Sequence, residues 1–142
     1  MTPPVAYVMD TSVTLSWLFD DEVTPSTRLL FRQLPTSRTL VPELWLFELS
    51  NAILNARRRN RVSEPEVTQF LDRLLRQPLT IDRTASDRAL SAIRSLADRH
   101  NLTAYDATYL DLAIRAALPL ATLDDHLARA AREAGVPLVE TT

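Results

Sequence analysis

The chain of 142 residues has no cysteine, and its only glycine is Gly135. It also has no lysine, since all sixteen basic residues are arginine. Without cysteine there is no disulfide framework, no thiolate zinc site and no cysteine nucleophile, which fits a reducing compartment. Without lysine there is no Schiff-base chemistry and no phosphate-loop lysine, and a phosphate-accepting receiver domain loses a residue it needs. A lone glycine cannot build a Walker loop or a GxGxxG dinucleotide turn. His100 and His126 are too far apart to form a paired-His zinc motif. Ser50 and His126 lack the nucleophile elbow of a serine hydrolase. No apolar run approaches the roughly 18 residues of a membrane span, and "MTPPVAYVMD" lacks the basic start and apolar stretch of a signal peptide. A cytoplasmic protein with no membrane partner is therefore expected.

Carboxylates, hydroxyls and arginines remain for chemistry. A hydrophobic content of 46% with 24% charged residues reads as one soluble globular domain over 1–142. The net charge of −2 gives no global attraction to nucleic acid, so such a partner must be held by a local basic patch or through a bound cation.

Short apolar runs alternate with longer helical patterns. Strands are expected at 5–9, 39–41, 79–81, 119–123 and 137–140. Helices are expected at 12–20, 26–34, 43–59, 64–77, 85–99, 104–117 and 125–134, with Pro42 and Pro65 as first-turn prolines. This alternation predicts an α/β fold with a mostly parallel sheet covered by helices on both faces. In such sheets ligands collect beyond the carboxyl ends of the strands, where strand order reverses. Asp10 follows "VAYVM" and Asp124 follows "PLATL". If the first and fourth strands are neighbours, these two acids meet.

Each acid also has a plain structural role open to it. Asp10 and Asp124 stand where helix N-caps are expected, with Thr122 and Asp125 as competing partners at the second. Asp106 lies three residues after Thr103 and could complete a capping box. Its helical neighbours Leu102, Tyr109 and Leu110 offer no charge, whereas Asp111 has Arg115 one turn on and reads as a surface pair. Glu48, in "LWLFELSNAIL", is too deep in its helix to serve the first turn, and no basic residue stands within a turn of it. A buried, unpaired carboxylate costs several kcal/mol or takes up a proton. Two carboxylates about 4 Å apart repel by about 4 kcal/mol at an effective dielectric of 20. A shared cation resolves both problems. All-oxygen donors suit Mg²⁺ or Mn²⁺, and the chemistry that results is metal-assisted hydrolysis of a phosphodiester.

Three stretches, "YVMDTSVTLSWL", "VPELWLFELSNAI" and "LTAYDATYLDLAIRAALPLATLDDHLARAAREAGV", together resemble the PIN-domain proteins, specifically the VapC-type toxins of bacterial type II toxin–antitoxin systems. The resemblance implies a three-layer α/β/α sandwich and a metal-dependent endoribonuclease site. The family's four acids fall on Asp10, Glu48, Asp106 and Asp124, as catalytic and metal-binding residues. Asp125 leaves the fourth position ambiguous. Supporting hydroxyls fall on Thr11, Ser12 and Thr122. The partners implied are an RNA substrate and a cognate antitoxin, and a homodimer is expected. A PIN-type nuclease of RNA processing or structured DNA without an antitoxin, or a module that binds nucleic acid without cutting it, are the alternatives.

The cluster "ARRRNR" supplies Arg57, Arg58, Arg59 and Arg61. Basic residues complement a helix C-terminus, and the same guanidinium forks can hold RNA phosphates. The apolar surface for an antitoxin segment could include Leu15 to Phe19 and the helix at 44–54, which is apolar on nearly every face. Trp17 and Trp45 individually read as core.

Overall fold

The computed structural model describes residues 5–142. The first four residues of the expected 1–142 domain lie outside the described residues. Four strands, β1 (Ala6–Met9), β2 (Arg38–Pro42), β3 (Leu79–Asp82) and β4 (Leu120–Ala121), form one sheet in the order β3-β2-β1-β4. All pairings are parallel, and Val8 stands between Leu40 and Leu120. Successive strand residues point to opposite faces. Because Tyr7, Val8 and Met9 are all fully buried, both faces of β1 are covered, as a parallel sheet between helices requires. At the edge, β3 buries little.

Between the strands run α1 (Thr11–Ser16), α2 (Pro25–Gln33), α3 (Leu44–Arg58), α4 (Glu64–Leu75), α5 (Ser86–Arg88), α6 (Arg94–His100) and α7 (Ala104–Ala116), and α8 (Asp125–Glu133) follows β4. Local chemistry sets several of their starts. Thr24 with Thr27, and Ser63 with Glu66, form reciprocal capping boxes, each with a proline in the first two helical positions. Helix α7 packs against β1, β2 and β4, and it carries Tyr109, Leu110, Leu112 and Ala113 into the core.

Several expected boundaries differ from the observed ones. Pro42 is the last residue of β2 rather than a first-turn proline; it lies beyond the β1 ladder, which ends at Val8 and Leu40, so its missing N–H leaves no gap there. The helix expected at 12–20 stops at Ser16. The helix expected over 85–99 is divided into α5, a π-turn at Ala89–Ile93, and α6. The segment at 137–140 does not form a full strand. It meets β4 through one bridge, Leu120 to Leu138, with hydrogen bonds from Leu120 N to Pro137 O and from Val139 N to Leu120 O.

The chain moves outward from β1 to β2 and β3, then returns to place β4 on the other side of β1. Strand order therefore reverses between β1 and β4. The crevice beyond their carboxyl ends is the ligand position of an open parallel sheet.

Candidate active site

Asp10 leaves the end of β1 and is buried, with 5% of its surface exposed. It caps α1, its Oδ1 accepting from the N–H groups of Ser12 and Val13 and from the Ser12 hydroxyl. Its Oδ2 accepts from the Thr122 hydroxyl at 2.6 Å. The capping role and a role in the crevice are thus held by one side chain. Both hydroxyls also tie β1 to the loop after β4. Ser12 Oγ accepts from Leu123 N at 2.8 Å, and Thr122 Oγ1 accepts from Asp124 N at 3.0 Å. Asp124 caps α8 by accepting from Leu127 N at 3.0 Å. As anticipated, parallel pairing of β1 and β4 brings the Asp10 and Asp124 segments together.

Glu48 arrives on the second turn of α3. Its partners are hydroxyls, not charges. The Tyr109 hydroxyl donates to Glu48 Oε1 at 2.5 Å, and Thr11 Oγ1 lies 3.1 Å from the same oxygen and 2.8 Å from the phenol. Thr11, expected beside the first acid, therefore serves the second. Tyr109 was not singled out in the sequence. The available signal was its position one turn after Asp106, on the same face of a helix, as a buried aromatic whose polar tip needs a partner.

Asp106 begins α7. Thr103 Oγ1 accepts from Asp106 N at 3.1 Å, but the reciprocal half of the expected capping box is missing. Among the described residues the Asp106 carboxylate takes no hydrogen bond or ion pair, so it is free to face the crevice.

The electrostatics fit an acidic pit. Burial pushes Asp10 up from 3.8 to about 6, against the pull of the hydrogen bonds from Ser12, Thr122 and the Val13 N–H. Asp106 is also raised, first by burial and then by the charges of Asp124 and Glu48, with His126 pulling the other way. Asp125 is exposed in the first turn of α8, whereas Asp124 is partly buried at its N-cap and its charge acts on Asp106. Burial and the bond to Glu48 hold the Tyr109 phenol well above its ordinary value, so it remains a donor.

Asp111 offers a contrast within the same helix. It is buried rather than on the surface as the sequence suggested. Its carboxylate binds Arg88 through two bonds, at 2.9 and 2.6 Å, and Arg115 through a third at 2.8 Å. Arg115 continues to Asp82 at the end of β3, at 2.8 Å. Arg88 comes from 23 residues away, beyond the reach of a helical spacing rule. Here buried charge is fully matched. None of Asp10, Glu48, Asp106 and Asp124 forms an ion pair among the described residues.

As they stand, no three acidic or imidazole side chains among the described residues are gathered tightly enough to ligate one ion. The two Asp10 oxygens are occupied by hydroxyl and backbone donors. The donor chemistry nonetheless fits a small hard cation: the side-chain donors there are all oxygens, and among the described residues the Asp106 carboxylate and Glu48 Oε2 carry no hydrogen bond.

The PIN domain model matches residues 7–133. The chain belongs to the PIN-domain family. That membership supports a nuclease activity. Among solved structures, PAE2754 from Pyrobaculum aerophilum is similar to this PIN domain with a TM-score of 0.69 and 21% identity, over 89% of this chain and 85% of that one. VapBC2 from Rickettsia felis, solved bound to a DNA fragment from its promoter, is similar with a TM-score of 0.63 and 15% identity, over 94% and 97%. At these identities the likeness is one of fold. No curated protein matches the chain.

The arginine cluster lies at the other end of α3. Ten residues separate Glu48 from Arg58, about 15 Å along a helix. Arg57 is tied to Glu64 and to the Val62 carbonyl. Arg61 is tied to Asp21 and Glu22 and lies over the Phe19 ring. Arg58 and Arg59 are exposed and take no ion pair among the described residues. Of the apolar segments, Trp45 and Phe19 are core, and Trp17 is partly buried with its indole donating to Thr27 O. An open apolar groove of about 540 Å³ runs between α3 and α4, lined by Leu46, Leu49, Ile53, Leu54, Leu71 and Leu75 among others.

Proposed function

We propose that this PIN domain, acting as one unit over the whole chain, is a Mg²⁺- or Mn²⁺-dependent endoribonuclease of the VapC type. The observation that carries the reading is the set of four carboxylates at one sheet end that no cationic side chain among the described residues neutralises, in a molecule that doubly pairs its other buried acid, Asp111. Asp10, Glu48, Asp106 and Asp124 would hold the ion. A bound divalent cation supplies an activated water and stabilises the leaving oxygen of a phosphodiester. The chain's own residues do the rest. Ser12 and Thr122 fix Asp10, while Tyr109 and Thr11 fix Glu48. Asp106 remains unbonded and free to close on the ion. Arg58 and Arg59, which take no ion pair among the described residues, would hold backbone phosphates farther along the strand.

The toxin reading adds an antitoxin and a homodimer. The α3–α4 groove supports the first: it is apolar, open, and rimmed by Arg57 and Glu64, a form suited to a partner segment with apolar residues at helical spacing. Incubating the purified protein with end-labelled RNA tests the reading. Cleavage is expected with Mg²⁺ or Mn²⁺ and none in chelator, and Glu48→Gln should remove it with the fold intact. Cleavage of equal rate in that variant, or cleavage in chelator, would overturn the assignment.

A further inference from the structure

The phenol of Tyr109 reaches Glu48 from α7, across 61 positions of sequence. Its ring is buried, with 1% of its surface exposed, so the hydroxyl has little freedom to turn elsewhere. Thr11, on α1, closes a triangle with the phenol and Glu48 Oε1. Three helices thus converge on one carboxylate oxygen, and among the described residues the other oxygen, Oε2, has no partner.

We infer that Tyr109 and Thr11 turn Glu48 into a one-oxygen ligand and thereby set the site's preference for Mg²⁺ and Mn²⁺ over Ca²⁺. This rests on the metal-dependent reading of the same site and extends it. Mg²⁺ demands a compact octahedral shell built with single carboxylate oxygens and water, whereas Ca²⁺ takes six to eight oxygens and favours carboxylates that offer both. A Glu whose Oε1 is engaged by two hydroxyls can present only Oε2 without breaking those bonds. Tyr109 touches neither ion nor substrate in this scheme. It is a positioning residue, of the kind that orients a metal-binding side chain from behind.

The test is calorimetric titration of the full chain, without RNA, with MnCl₂ and separately with CaCl₂. Tyr109→Phe keeps the ring and removes one oxygen; circular dichroism checks its fold. The Mn²⁺ dissociation constant is expected to rise by about tenfold, while that for Ca²⁺ changes by a clearly smaller factor, so the preference narrows. Thr11→Val should move both constants in the same sense by less, and it serves as the deciding variant if Tyr109→Phe does not fold. Unchanged constants, or equal weakening for both ions, would overturn the inference and leave Tyr109 as packing. A wild-type protein that binds no Mn²⁺ would overturn the metal-dependent reading itself, and this inference with it.

Discussion

Removing the charge of Asp10 should stabilise the metal-free protein. Burial lifts this carboxyl from 3.8 to about 6, and each tenfold in acidity is worth about 1.4 kcal/mol. At pH 7 the ionised side chain therefore costs the fold about 3 kcal/mol relative to a neutral one. Between pH 3.8 and about 6 the folded state keeps a proton that the unfolded chain has released, so stability rises as pH falls through that window. The cost shrinks steadily as pH falls through that window and has largely gone by its lower end. In Asp10→Asn the amide oxygen can still accept from Ser12 and Val13, but the nitrogen now faces Thr122, whose hydroxyl must turn from donor to acceptor. Allowing about 1 kcal/mol for that mismatch leaves a net gain of about 2 kcal/mol at pH 7 and a clearly smaller one at pH 5. Urea unfolding in chelator at the two pH values measures both. Excess Mg²⁺ should then reverse the order, because an ion at a hundred times its dissociation constant stabilises the wild type by about 2.7 kcal/mol. A variant less stable than wild type at pH 7 in chelator, or one with the same advantage at both pH values, would refute the reasoning.

Asp111→Asn should cost about 2 to 3 kcal/mol in urea unfolding, since it strips three charge-assisted bonds from a buried position while leaving two arginines that can still reach water or Asp82. Burial alone would raise Asp111, but Arg88 and Arg115 hold it below its ordinary value. Its contribution is present above the unfolded carboxyl's range and is lost as pH falls through the depressed value, the opposite sense to Asp10. Ala117 ends α7 with φ of 55°, in the left-handed region that favours glycine, so Ala117→Gly should raise stability by about 1 kcal/mol. Leu54→Asp, at a half-exposed position in the α3–α4 groove, should abolish capture by the antitoxin and leave RNA cleavage unchanged; undiminished binding in a pull-down would remove the groove from the interface.

The parts of the site that were legible in the sequence are those fixed by local rules. Asp10 and Asp124 could be placed because each follows an apolar strand and precedes a helix, and parallel pairing of β1 and β4 does the rest. Glu48 stood out because a helix leaves only a few neighbours to neutralise a charge, and none there could. What lay beyond reach came from distant pairings. Tyr109 and Glu48 are 61 residues apart, Arg88 and Asp111 are 23 apart, and no periodicity relates them. The pair Asp111 and Arg115 looked like an ordinary surface bridge because spacing reports adjacency and says nothing of burial. The tail at 137–140 read as a full strand because its residues suit one. At two residues, β4 offers it too short an edge to pair along.

Anomalous diffraction from crystals soaked in Mn²⁺ tests most directly whether the four unpaired carboxylates form a cation site. The expected result is an anomalous peak in the crevice beyond β1 and β4, within coordination distance of Glu48 Oε2, Asp106 and at least one of Asp10 and Asp124. No peak there at saturating Mn²⁺, or a peak only at the surface acids, would contradict it.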